Sequence, residues 1–181
     1  DQVTTFMESR LKRTTRNPGE DKILTKTMIN NYAKNDLLPP PNKKKYTKEH
    51  VMLLVFIYYY KGILSINDIQ ALLEPITKRF FGSGDSFNLE TIYETAFGLE
   101  RSQIDALKKD MTEKFRIAKG TFLDAPEDSQ EFLQLFSFIC MLGFDVYLKK
   151  LLIEKMIDGL HDKGRCGTKE TRMKETKEQK E

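Results

Sequence analysis

Apolar residues recur three and four apart along most of the chain, and the breaks between these runs divide it into helices. Val3, Phe6, Met7 and Leu11 share one helical face, which predicts a helix over residues 1–15. "RNPGED" interrupts it. Thr25 is an N-cap candidate for a second helix that ends near Asn35. In that helix Met28, Ile29, Tyr32 and Ala33 fall on one side of the wheel, and Lys26, Thr27, Asn30, Asn31 and Lys34 on the other. Leu37 and Leu38 follow, then Pro39, Pro40 and Pro41, which cannot continue a helix and favour an extended path. Thr47 caps a third helix, with Glu49 in its first turn; it is apolar through "VMLLVFIYYY" and stops at Gly62. Ser65 and Asp68 form a capping box for a short fourth helix, "INDIQALL", with Pro75 just past its end.

"FFGSGDS", residues 80–86, is the best candidate for a domain boundary. Helical spacing resumes from Leu89 to about Lys119, and "LDAPEDSQ" is a turn. Residues 129–160 form a long helix, apolar almost all round in its first half. Cys140 and the phenylalanines Phe97, Phe115, Phe122, Phe136, Phe138 and Phe144 read as core, with an effector pocket as the other use of those rings. From His161 on there is no apolar periodicity, so 161–181, with Cys166, reads as a charged, flexible tail. The expected organisation is mainly all-α: an N-terminal unit over 1–82, a helical dimerisation and possible effector region over 83–160, and the tail; helix 129–160, with part of 88–119, is the expected dimer interface, because its apolar circumference is too wide for a lone amphipathic helix. The apolar segment 132–148 is short for a membrane span and holds Gln134 and Asp145, so no membrane insertion is expected.

Composition narrows the classes. The chain has 181 residues, 39% hydrophobic and 31% charged, which suits a globular protein with polar faces. Two cysteines and two histidines, with no CxxC, argue against a structural zinc site or a disulfide framework and fit a reducing, cytoplasmic setting. The first residues lack an apolar core of the signal-peptide kind. No Ser/His/Asp order, P-loop or glycine-rich nucleotide turn is present, so neither an enzyme nor a cofactor is expected. The net charge of +3 conceals an asymmetry: residues 10–48 hold 11 Lys/Arg against 3 Asp/Glu, the balance of a surface that meets a polyanion.

That basic region holds the candidate chemistry. Asn30 and Asn31 can pair with adenine edges in the major groove, while Lys26, Thr27 and Lys34 suit phosphates or bases. Lys43, Lys44 and Lys45 repel one another at a loop tip, but beside a duplex each displaces a condensed counterion. The prolines make the approach stiff, which limits the entropy lost on docking. Tyr46 offers its hydroxyl to a phosphate or its ring to packing beneath the loop. Taken singly, these residues also fit an ordinary solvated helix face.

In order, Met28-Ile29-Asn30-Asn31-Tyr32, Leu37-Leu38-Pro39, the basic run Lys43–Tyr46, the cap Thr47 and the cap Ser65 resemble the DNA-binding half of the mercury-resistance regulator (MerR) family. "TKTMINNY" and "LLPPPNKKKYTKEH" are closer still to a bacterial family of unknown function that carries this module. The resemblance covers roughly residues 1–82. It implies a winged helix-turn-helix with a small β wing, binding double-stranded DNA as a homodimer to regulate transcription. It also places Asn30 and Asn31 where relatives have an arginine and a tyrosine that meet DNA. The chain departs from that pattern in lacking the arginine, a single long coiled-coil helix after residue 82, and a cysteine trio for a metal effector. The expected function is therefore a sequence-specific DNA-binding regulator, and the alternative is a non-catalytic protein-interaction module on the same scaffold.

Overall fold

A computed structural model describes residues 2–43 and 45–178, apart from the side chains of Glu100, Arg101 and 161–178. The chain forms α1 (Gln2–Leu11), a 3-10 turn (Lys12–Thr14), α2 (Lys26–Lys34), α3 (Lys48–Tyr60), α4 (Ile66–Phe80), α5 (Leu89–Lys119) and α6 (Glu127–Glu178). It divides into two compact units: one takes in residues up to Tyr93 together with the stretch from Glu154 onward, the other Glu94–Ile153. The expected flexible tail falls where side chains lie outside the described residues.

The fold is mainly helical, and the expected β wing is not formed. Among the described residues there is no strand, only an isolated antiparallel bridge between Asn42 and Lys45. The reason is local: Pro39, Pro40 and Pro41 have no N–H to donate, so a ladder leading into the turn cannot be built.

In the first unit α3 is the central element. Met52, Leu53, Leu54, Val55, Phe56 and Ile57 are all buried, so the helix is enclosed on every side. Met7 and Leu11 of α1, Ile29 and Tyr32 of α2, Ile69 and Leu73 of α4, and Leu37 and Leu38 between them complete the core. Two polar links tie the chain before α2 to α3. The hydroxyls of Thr14 and Tyr58 meet at 2.7 Å, and Lys61 Nζ donates to the Ile23 carbonyl at 2.6 Å.

α4 runs past Pro75, beyond the end expected from that proline. An interior proline removes one i→i−4 bond and costs about 3 kcal/mol. Attachments near the end of the helix oppose that cost. The Phe81 ring meets His50 edge-on at 4.8 Å, and the Glu49 carboxylate accepts from the Gly82 N–H at 3.0 and 3.1 Å.

The second unit is an antiparallel pair. Gln134 Nε2 donates to the carbonyls of Lys119 (3.1 Å) and Thr121 (3.3 Å), Phe115 meets Phe138 at 5.5 Å, and Lys114 Nζ lies 2.7 Å from Asp145 Oδ2. A pair of helices encloses little. Among its described residues only Ala118 and Gln134 are buried. The reading of its aromatic residues as core is therefore corrected: Phe115, Phe122, Phe136 and Phe144 are exposed, and Cys140 is half-buried. Among the described residues no helix is long and apolar enough to cross a membrane.

Leu53, with no exposed surface, tests the central position of α3. Leu53→Ala should lower the unfolding free energy by about 2–5 kcal/mol in a urea titration, without changing the far-ultraviolet helix signal of the folded state. A decrease under about 0.5 kcal/mol, the size of an ordinary surface substitution, would contradict it.

Candidate nucleic-acid interface

The site is built on α2 and the turn that follows. Thr25 sits at the N-cap in extended conformation, and its Oγ1 accepts from the Met28 N–H at 3.2 Å. At the other end Asp36 adopts a left-handed φ of 55°. The N–H groups of Leu37 and Leu38 both donate to the Tyr32 carbonyl, at 2.9 and 3.2 Å. This is a Schellman-type closure, and it turns both leucines inward, where they are buried.

These ends fix which face of α2 is open. Ile29 and Tyr32 are buried, and burial raises the Tyr32 phenol above its ordinary pKa. Lys26, Thr27, Asn30, Asn31 and Lys34 are exposed, as the wheel predicts. None of them is acidic, so the open face carries cations and amide groups.

The basic turn projects next to it. The Lys45 N–H donates to the Asn42 carbonyl at 2.8 Å, and Lys43 takes a left-handed φ of 47°. Lys43 and Lys45 are exposed, while Lys44 lies outside the described residues. Tyr46 is half-buried, its ring edge-on to His50 at 5.3 Å.

A cleft of about 750 Å³ joins the two parts. Lys26 and Asn30 line it from α2, Lys45 and Tyr46 from the turn, and Gln2, Val3 and Thr4 from α1, with Ile29 and Pro41 as further apolar lining. Thr27, Asn31, Lys34 and Lys43 are exposed but do not line it. The participation of α1 carries no motif in the sequence and emerges only from packing.

His50 is the residue that sequence reasoning missed. It is 2% exposed and stands at N3 of α3, the position that Glu or Gln takes in a common capping box. Its Nδ1 accepts from the Thr47 N–H at 3.0 Å, which leaves the proton of the neutral ring on Nε2. Nε2 is buried without a well-aligned partner, although the Pro40 and Pro39 carbonyls come close enough to favour the charged ring. Burial outweighs them, and the Glu49 carboxylate with them, and pushes the imidazole below its usual pKa. The only hint in the sequence is the Thr-x-x-His spacing.

Residues 1–96 match the family described as Domain of unknown function (DUF1836), and the chain belongs to it. No curated protein and no solved structure matches the chain. Among the described residues no group of three His, Cys, Asp or Glu side chains is placed to hold a metal ion.

The lowered His50 value makes stability depend on pH. The unfolded chain takes up a proton near the ordinary value of about 6.5, whereas the folded chain does so only further down. The contribution is therefore whole above that value and declines as pH falls toward the folded-state value. The melting temperature should drop on acidification from neutral pH into this window. His50→Gln, which keeps a capping acceptor, should flatten that segment of the curve. An unchanged slope in the variant would contradict the assignment.

Proposed function

We propose that this protein is a MerR-like, sequence-specific DNA-binding transcriptional regulator that engages a two-fold site as a homodimer. The observation that carries the reading is the shared cleft: cations and amides from α2 and from the basic turn meet at one opening, and none of its lining residues is acidic. In this reading α2 enters the major groove and presents Asn30 and Asn31 to base edges. Lys26, Thr27 and Lys34 flank them toward the phosphates. The turn bearing Lys43, Lys44 and Lys45 rests on the backbone, and Tyr46 supports it from below. A two-fold site calls for two copies of the chain, and the sparsely buried second unit offers surface for that pairing.

A second reading has one observation in its favour. Val3, Ile29 and Pro41 give the cleft apolar lining that a duplex backbone does not need. A non-catalytic module that receives a peptide would use it.

Titration of a labelled duplex at several salt concentrations separates the two. Replacing Lys43, Lys44 and Lys45 together by Ala should weaken binding to every sequence and reduce the salt slope by about 0.9 for each phosphate no longer neutralised. Asn30→Ala or Asn31→Ala should instead relax base preference, by about 1–3 kcal/mol for each bidentate pairing removed. A triple variant with unchanged affinity and slope would contradict the role of the turn. Absence of binding to any duplex at low salt would favour the peptide module.

A further inference from the structure

The cleft between α1, α2 and the basic turn has a part that a duplex does not use. Its lining grades from buried to exposed. Ile29, 3% exposed, stands at the base; Val3, Pro41 and Tyr46 are half-buried; Gln2, Lys26, Asn30 and Lys45 are exposed and form the rim. The base is therefore largely apolar, and the rim carries cations and amides. A sugar-phosphate backbone can bear on such a rim. A phosphate pressed against Ile29 and Val3, however, would lose water without gaining a hydrogen bond. Apolar surface left to water at the base is unfavourable in proportion to its area. At about 750 Å³ the cleft also falls within the roughly 300–1,000 Å³ typical of small-molecule sites.

Charge decides the kind of molecule. None of the lining residues is acidic, so the rim favours an anion. Lys26 also lines a neighbouring hollow with Glu8, Glu20 and Asp21, and those carboxylates share its field. The larger part of the positive field at this rim then falls to Lys45. Asn30 and Gln2 offer amide N–H donors, which suit carboxylate oxygens. A ligand with many charges would leave the apolar base empty, and a neutral one would gain nothing from Lys45. A single carboxylate on an apolar body meets both demands. The body lies on Val3, Ile29 and Pro41, and the carboxylate reaches Lys45 and Asn30.

We propose that this cleft is a binding site for a small carboxylic acid with an apolar body, and that the acid and a duplex exclude each other there. The exclusion rests on the reading above, in which Lys26, Asn30, Lys45 and Tyr46 belong to the duplex interface; the acid site itself does not. α1 gains a role in this arrangement, because Val3 supplies apolar lining from an element outside α2 and the turn. Every lining residue belongs to the first unit, so an occupant acts on the recognition surface directly.

Equilibrium dialysis of the whole chain against 2-naphthoate, and separately against octanoate, tests the site with a flat and a flexible body. At least one of them should saturate at a single equivalent per chain, and its methyl ester, which keeps the body without the charge, should bind about tenfold more weakly. Lys45→Glu should weaken the acid by about tenfold. Lys109→Glu, the same charge change on an exposed residue of α5, should alter it by less than about twofold. Val3→Trp should fill the base and remove the saturable site, with circular dichroism reporting that the helices remain. Uptake of neither acid, or uptake indifferent to Lys45→Glu and to esterification, would overturn the site; the latter is partition onto the exposed apolar surface of the second unit. Saturating acid should raise the dissociation constant of a bound duplex at least about tenfold. A duplex held equally well in saturating acid would overturn the exclusion alone. A chain that takes the acid but binds no duplex would contradict the DNA reading and leave the acid site standing.

Discussion

One buried imidazole holds the candidate site in shape. His50 caps α3 through Thr47, takes the edge of Tyr46 on one side and of Phe81 on the other, and lies against the carbonyls of the proline segment. The entry to the basic turn, the start of α3 and the end of α4 therefore meet at a single ring. The prolines have no N–H with which to build a ladder, so the turn cannot draw rigidity from a sheet. It draws it from this packing and from one bridge between Asn42 and Lys45. A neutral ring suits the place, because a charged one would need a solvent that is absent there.

The two units use apolar surface in opposite ways. In the first, α3 is enclosed by α1, α2, α4 and the Leu37-Leu38 corner, and the apolar residues along the chain are largely consumed. On α2 and the turn that follows, what remains outside is largely basic and amide-bearing. In the second, α5 and α6 cover each other along one side only, and the apolar residues left over form a continuous strip with acidic and basic ends. The first arrangement leaves an enclosed core, the second an apolar face open to solvent.

Much of the fold could be read from local spacing. Thr25, Thr47 and Ser65 mark helix starts because capping depends on neighbours three residues away. The open face of α2 could be read because a short helix with a clean polar split has one way to pack. What escaped depends on distant partners. α4 passes Pro75 because Phe81 and Gly82 are held by His50 and Glu49, far back in the chain. The cleft needed Gln2, Val3 and Thr4 of α1, which carry no motif. The aromatic residues of α6 looked like core because apolar content alone does not report whether a neighbouring helix is placed to cover them. The β wing was expected from resemblance, and the three prolines overrule it.

The most direct measurement is selection of bound sites from a pool of random duplexes by the whole chain. We expect enrichment of one sequence repeated about a two-fold axis, with half-sites about one helical turn apart, as two α2 helices on one face of the duplex require. A pool recovered without enrichment, at a salt concentration where the protein is folded and dimeric, would contradict sequence-specific recognition by α2 and the basic turn.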